Sequence, residues 1–201
     1  IGFGRDGMPT DARLISKSGA FVGGSTIDDL IAEKAFKDQG LNPPSSFNRK
    51  TYLRAIRAGE SVKKNLSIRK RVNKSYEDLQ TGLSISMYFR QNDIVDLVAI
   101  SDVGNALRRL VSDTASHIRQ CGINTDSISG AIMVGGCTLC PPIRSILEQA
   151  FEEINLELFD SPSEADRFRA VVFGALRSVD AHISNDYLLH DYALRLRAKN
   201  G

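Results

Sequence analysis

The chain has 201 residues, of which 42% are apolar and 25% charged, and its formal net charge is +2. That length supports one hydrophobic core, or one core with an appended lobe, and so slight a charge gives no global field for nucleic acid or an anionic membrane. No apolar stretch is long enough to span a bilayer, no signal peptide opens the sequence, and the cysteines (Cys121, Cys137, Cys140) are too few for a disulfide scaffold, so a cytoplasmic protein is expected.

Residues 1–4 and 12–17 read as two strands joined by the turn Arg5-Asp6-Gly7-Met8-Pro9. Ile1 is no initiator and the opening IGFG reads as mid-strand, so a longer parent chain is expected. A glycine pair, Gly23-Gly24, is followed by Ser25 and Thr26 as candidate N-caps of a helix. Asp28 and Asp29 then fall in its first turn, where carboxylates suit the helix dipole. Ile27, Leu30, Ile31 and Ala35 mark its buried face, and Gly40 ends it. After a polar connector at 41–46, residues 47–67 read as a second helix with a break near Gly59.

In the latter half of that helix Glu60, Lys63, Lys64 and Ser67 stand at i, i+3, i+4 and i+7, so all four project from one face. Val62 and Leu66 point elsewhere and anchor it. A carboxylate, two ammoniums and a hydroxyl on one stripe can bind ribose hydroxyls and a purine edge, or can form a solvated ladder of ion pairs.

Residues 69–74 are basic, and 83–89 alternate as a strand. A helical pattern runs from Asn92 to Gln120 with Ile94, Leu97, Val98, Leu107, Leu110, Val111, Ala115 and Ile118 as its stripe. Gly104 is its expected break and Gly122 its stop. Ala131-Ile132-Met133-Val134 is a short apolar strand, halted by Gly135-Gly136. Pro141-Pro142 then opens a helix whose inner face takes Ile143, Ile146, Leu147, Ala150 and Phe151. A strand–glycine turn–helix lets the backbone approach a ligand, and its helix start offers free N–H groups to an anion. Residues 156–159 read as a further strand. Ser161-Pro162-Ser163-Glu164 opens a last helix with Ala165, Phe168, Val172, Ala175 and Leu176 inward and Gly174 at a close helix–sheet contact. A closing strand is expected at 187–196.

Four segments carry a family resemblance: GGSTIDDLIAEKAF from Gly23, GESVKKNLS from Gly59, AIMVGGCTLCPPIRSIL from Ala131 and SPSEADRFRAVVFGAL from Ser161. Their order and spacing resemble the second lobe of the nucleotide-binding domain of DnaK-type (Hsp70) chaperones, over about residues 1–181. The resemblance implies an α/β, RNase H-like (actin/Hsp70 ATPase) half-domain. Residues 1–22 and 101–184 would form its main subdomain, 23–100 an inserted α+β subdomain, and 185–201 a strand or linker towards a substrate-binding domain.

The same resemblance implies ATP/ADP binding. Gly23-Gly24 would lie against phosphates and ribose, and Glu60, Lys63, Lys64 and Ser67 around ribose and adenine. Gly135-Gly136 would form the adenosine-side turn, with Cys137 in place of the usual serine. Leu139 stands where an adenine-packing arginine is usual, Ser163 where an aspartate is usual, and Lys64 where an arginine is common. Leu139 and Lys64 forgo cation–π, stacking and hydrogen-bond contributions, so affinity is expected to fall by a few kcal/mol unless something compensates. The phosphate loop, the lysine near the γ-phosphate and the acids that hold Mg²⁺ belong to the family's first lobe. No catalytic residue and no metal ligand is therefore expected in this sequence, and the chain alone is not expected to hydrolyse ATP. Implied partners are that first lobe, a nucleotide-exchange factor, a co-chaperone, and unfolded clients held through another domain, in a cytoplasmic stress response.

Other readings compete. Cys137-Thr138-Leu139-Cys140 is a C-x-x-C at a helix start, where thiolates are favoured, although a thioredoxin-like motif would come much earlier in the chain. Zinc lacks two further ligands at suitable spacing. His117, His182 and His190 are scattered. Lys63, Lys64, Arg69, Lys70, Arg71 and Lys74 make a local basic run with Tyr76 as the only nearby aromatic, so nucleic acid is not an expected partner. Leu139 and Ser163 also fit a non-hydrolysing scaffold, and the resemblance leaves another actin-like ATPase open.

Overall fold

The computed structural model describes residues 2–3, 9–13, 15–42, 49–78, 82–160, 163, 165–167, 169–170, 172–173 and 183–184. Its elements are β1 (Gly2–Phe3), β2 (Pro9–Arg13), α1 (Gly24–Asp38), α2 (Arg49–Leu66), β3 (Arg71–Asp78), β4 (Leu83–Arg90), α3 (Gln91–Ala99), α4 (Asp102–Gln120), β5 (Ala131–Met133), α5 (Pro141–Glu152), β6 (Leu158–Asp160) and β7 (Ile183–Ser184). Short 3₁₀ turns occupy Thr125–Ser127 and Gly136–Leu139. The architecture is mixed α/β, as the sequence implied.

Helix α1 begins at the glycine pair, earlier than Ser25 and Thr26 would place it. Gly23 is the N-cap: its N–H donates to Thr26 Oγ1 at 3.3 Å, and its carbonyl accepts from the Thr26 N–H at 3.1 Å. This shift carries Asp28 and Asp29 past the first turn, so neither acts on the helix dipole. Asp28 turns inward, and Asp29 accepts a hydrogen bond from the Tyr52 hydroxyl at 2.7 Å. Ile27, Ile31 and Ala35 are buried as expected, together with Ala32 and Phe36. Gly40, at φ +71°, ends the helix in the left-handed region that favours glycine.

Helix α2 runs through Gly59 without the expected break. The glycine is there for close approach: a Cβ at this position would lie 2.6 Å from the Asp28 carbonyl oxygen on α1. Gly59→Ala is therefore expected to destabilise by about 1–3 kcal/mol through overpacking. The helix-propensity gain of about 1 kcal/mol is too small to reverse that sign. Urea denaturation measures it, and a stabilised variant would refute the close-packing account.

Strands β3 and β4 pair antiparallel in an unbroken register from Arg71↔Arg90 to Asp78↔Leu83. Ile85, Met87 and Phe89 alternate inward, while Ser84, Ser86, Tyr88 and Arg90 face solvent. The sequence revealed β4 and hid β3, where the charges of Arg71, Lys74 and Glu77 mask the one buried apolar side chain among residues 71–77, Val72.

The long helical pattern divides at Ile100-Ser101, ahead of Gly104. Asp93 Oδ2 accepts from the Arg90 N–H at 2.8 Å at the start of α3, and Ser101 caps α4. Gly104 lies inside α4, where a Cβ would meet the carbonyl oxygens of Val98 and Ala99 at 2.5 and 2.6 Å. It permits the sharp α3–α4 corner instead of breaking a helix. Gly122, at φ +78°, closes α4 as expected.

Strands β5 and β6 pair in parallel, Ala131 with Leu158 through Met133 with Asp160, and α5 is their crossover. The second strand lies slightly later than the expected 156–159. At the front, β2 pairs antiparallel with β1 and parallel with β7. The second front strand is thus earlier than the expected 12–17, and residues 15–20 have no regular structure. Most of the predicted connecting turn lies outside the described residues.

Residues 165–167, 169–170 and 172–173 are helical, with Ser163 Oγ accepting from the Asp166 N–H at 3.1 Å as a cap. Ala165 and Val172 are exposed instead of inward, and Arg167 takes the buried position. Phe168, Gly174, Ala175, Leu176 and the expected strand at 187–196 lie outside the described residues. One apolar cluster joins α1, α2, β3, β4 and α3 to Val103 of α4 and to Ile143 and Ile146 of α5.

Candidate functional site

The glycine turn after β5 is built from its own backbone outward. Gly135 has φ +89°, a conformation that disfavours any other residue, and the chain then winds into the 3₁₀ turn Gly136–Leu139. Thr138 Oγ1 donates to the Gly135 carbonyl at 2.7 Å, and the Cys140 N–H donates to the Cys137 carbonyl at 3.0 Å. Pro141 then fits the first turn of α5, where no N–H is needed.

Behind the turn stands an ionic brace that the sequence did not disclose. The Gly135 N–H donates to the Arg167 carbonyl at 2.9 Å. Arg167 Nη2 reaches Asp160 Oδ1 at 3.0 Å, and Arg144 grips the same carboxylate through Nη1 and Nη2 at 3.0 and 2.9 Å. Hydrogen bonding to Arg144 holds the Asp160 carboxyl below its ordinary range. The turn is thereby tied both to β6 and to the helical segment that contains Arg167.

The opposing wall comes from α1 and α2. Lys63 Nζ donates to the Gly24 carbonyl at 2.7 Å and forms an ion pair with Asp28 Oδ1 at 2.7 Å. Asp28 is buried and Lys63 half-buried, the side chains being 8% and 15% exposed. Burial raises the Asp28 carboxyl above its ordinary value, outweighing the lowering by Lys63. Lys64 and Glu60 pair at 2.7 Å on the exposed side of the helix, which lowers the Glu60 carboxyl and raises the Lys64 ammonium. Ser67 lies just past the helix end, with its N–H and Oγ on the Lys63 carbonyl at 3.2 and 3.3 Å. The stripe read from spacing therefore divides into an inward lysine and an outward ion pair.

Between the two walls is a cavity of about 480 Å³. Gly24, Lys63, Lys64 and Ser67 line it from the α1–α2 side, and Gly136, Cys137 and Leu139 from the turn. Ile27, Ile68 and Cys140 complete the lining and make much of it apolar. Of the remaining expected site residues, Gly23 caps α1 beside Gly24, Gly135 shapes the turn, and Glu60 sits behind Lys64. Ser163 serves as a helix cap near Arg167, away from the lining. Ile68 was missed because it is a lone apolar residue after a helix end. Ile27 had been read only as core. A separate apolar hollow of about 440 Å³ between α4, α5 and β5 is lined mainly by aliphatic side chains.

The competing chemistries fare as follows. Cys137 is exposed and Cys140 buried, and burial pushes the Cys140 thiol up to about 11, contrary to an activated C-x-x-C pair. Within the basic run, Lys63 and Lys64 are engaged by Asp28 and Glu60, and Lys74 by the Ser61 hydroxyl. His117 Nδ1 is 3.0 Å from Ser16 Oγ, while His182 and His190 lie outside the described residues. Among the described residues no cluster of His, Cys, Asp and Glu is arranged to hold a metal ion, and no helix is long and apolar enough to cross a membrane.

Comparison with known proteins adds an independent line. Residues 17–192 match a family model described as Hsp70 protein. The chain is 26% identical over 183 residues to a chaperone protein HscA homolog of Shewanella denitrificans, covering 89% of this chain and 27% of that protein. It is likewise 26% identical over 172 residues to an HscA homolog of Ralstonia nicotianae, covering 85% of this chain and 26% of the relative. The chain thus spans about a quarter of the length of the curated relatives it matches.

Proposed function

The chain belongs to the Hsp70 family, and from that premise we propose that it is an adenine-nucleotide-binding lobe of an Hsp70-like chaperone ATPase, its ligand held in the cavity between α1–α2 and the glycine turn. The family implies the actin/Hsp70 ATPase fold. The finer division is part of the proposal: an RNase H-like subdomain from 1–22 and 101–184, an inserted subdomain at 23–100, and a linker at 185–201. One observation carries the reading. Gly24, Lys63, Lys64, Ser67, Gly136, Cys137 and Leu139, taken from three separated segments, all face one cavity.

Roles follow from the chemistry of each wall. Leu139, Ile27 and Ile68 offer an apolar surface to a purine face. The Glu60–Lys64 pair and the Ser67 hydroxyl offer an acceptor and donors to ribose hydroxyls. Gly23-Gly24 and Gly135-Gly136 allow close backbone approach to phosphate. Lys63, with two of its three N–H donors on Asp28 and the Gly24 carbonyl, positions the α1 start and contributes positive potential. When bound, ATP or ADP would supply the free energy difference between states, with Mg²⁺ held mainly by another lobe. Ser163 is the weakest member of the proposed set, since it caps a helix instead of lining the cavity. Exchange factor, co-chaperone, client and a cytoplasmic stress role belong to the same proposal.

The test is an NMR titration of this chain with ADP, which detects binding even at millimolar affinity. Shifts confined to residues 23–24, 60–68 and 135–140 are expected. Lys64→Ala should weaken binding about tenfold, equivalent to about 1.4 kcal/mol. No shift anywhere at several millimolar ADP would overturn binding by this lobe and favour an interaction scaffold.

A further inference from the structure

The C-x-x-C motif is not absorbed by nucleotide binding, and its geometry has a use of its own. Cys137 lies in the 3₁₀ turn with its side chain exposed, and Cys140 follows three residues later, buried. The Cys140 N–H closes the turn on the Cys137 carbonyl at 3.0 Å, and both cysteines line the same cavity. The Cys137 thiol faces the start of α1: a Cβ built on Gly24 would lie 3.4 Å from Cys137 Sγ and 3.0 Å from Lys63 Nζ. A group attached to Cys137 therefore enters the space between the two walls, beside the Lys63 and Lys64 ammoniums.

We propose that Cys137 is a covalent modification site, at which a small acidic thiol carried as a mixed disulfide fills the cavity and excludes nucleotide. This consequence rests on the nucleotide reading; the attachment itself does not. The co-reactant is a low-molecular-weight disulfide of the oxidised glutathione class. The Cys137 thiolate attacks one of its sulfurs, the S–S bond breaks, a Cys137 S–S bond forms, and the departing thiolate takes up the proton that Cys137 released. The exchange neither gains nor loses electrons overall.

Cys140 decides what happens next. In a redox-active C-x-x-C the second cysteine, as thiolate, expels the attached group and closes an internal disulfide. Here burial holds the Cys140 thiol up at about 11, so it stays protonated near neutral pH and does not resolve the adduct. The motif thus works as a single attachment point with an inert neighbour. Cys121 is exposed at the far end of α4, outside this cavity, and serves as an internal control.

Incubation of the whole chain with oxidised glutathione, followed by intact-mass measurement and peptide mapping, tests the site. A glutathionyl group on Cys137 should persist in the wild type and equally in Cys140→Ser, and be missing from position 137 in Cys137→Ser. ADP affinity of the adduct should fall at least tenfold and return on adding dithiothreitol. Rapid conversion to a Cys137–Cys140 disulfide, or reaction at Cys121 with none at Cys137, would overturn the proposal. An adduct on Cys137 that leaves ADP affinity unchanged would overturn the gating. If the unmodified chain shows no ADP shifts, the nucleotide reading fails, and the mapped adduct, with its own shifts along the cavity walls, still decides the modification.

Discussion

A Lys63→Met variant is expected to lose about 3–5 kcal/mol of stability near neutral pH, because it leaves a carboxylate buried without its cation. Asp28 is only 6% exposed, and Lys63 is the ammonium that faces it at 2.7 Å. The neighbouring Lys64 is exposed and paired to Glu60, so Lys64→Met should change stability by at most about 0.5 kcal/mol. The two adjacent lysines therefore separate a structural role from a surface one. The pH dependence carries a definite sign. Burial already raises Asp28 above its ordinary value, and removing Lys63 deletes the larger of the interactions that lower it, leaving only the weaker pull of Lys64. A carboxyl whose folded pKa exceeds the unfolded value of about 3.9 binds more protons in the folded state. Its penalty is thus full above the folded pKa and relaxes as pH falls through that value towards the unfolded one. Urea unfolding near pH 7 and near pH 5 should show the variant's deficit narrowing in acid. Asp28→Asn combined with Lys63→Met should recover most of the loss. A deficit that is constant with pH, or a double variant no better than the single one, would sink the buried-pair account.

The same pair shows where sequence reasoning stopped. Spacing along α2 grouped Glu60, Lys63, Lys64 and Ser67 on one stripe, since helical periodicity fixes a direction from the axis, yet Lys63 turns inward while Glu60 and Lys64 pair on the exposed side. Periodicity does not fix the partner, and the partner decides: Asp28 lies far back in sequence, where its place near the helix start suggests only a complement to the helix dipole. Glycines were misread for a related reason. Gly59 and Gly104 sit inside helices, where the sequence shows a flexible residue and only the fold shows the carbonyl oxygen that a Cβ would strike. By contrast Gly40, Gly122 and Gly135 were legible, because a glycine at the edge of a periodic segment has one common use, the left-handed turn. The brace of Arg144, Asp160 and Arg167 carried no local signal. An arginine at a buried helical position is recognisable only once its carboxylate is in view. The grouping of Gly24, the α2 stripe and the glycine turn around one ligand came from the family resemblance, which supplied the long-range order that composition and periodicity lack.

Phe36→Ala should cost about 3–5 kcal/mol, the range for emptying a fully buried aromatic site, and its reach along the chain is the more informative result. Phe36 is 0% exposed in the last turns of α1, with its ring centroid 6.1 Å from that of Tyr52 on α2. If residues 23–100 formed a unit with its own core, the loss would be confined there, and α5 would keep its protection. The apolar cluster argues otherwise. It passes from Phe36 and Ile31 through Ile85, Ile94 and Val98 to Val103, Cys140, Ile143 and Ile146 without interruption, so α5 packs on the same core as α1. A cavity at one end of a close-packed cluster lowers the global opening free energy of every element that unfolds with it. Native-state amide exchange should therefore show the slowest amides of α2, β4 and α5 falling together in Phe36→Ala, by matching factors. Phe36→Leu, which retains most of the volume, should lower them together by a smaller factor. Loss in α2 and β4 with α5 unchanged would establish two cooperative units divided near residue 100. In that case the cavity wall formed by α1–α2 and the wall formed by the glycine turn would belong to bodies free to move apart, and nucleotide affinity would be set by their separation. Matching losses make the two walls one rigid frame, and leave Leu139, Lys64 and Cys137 to set the affinity.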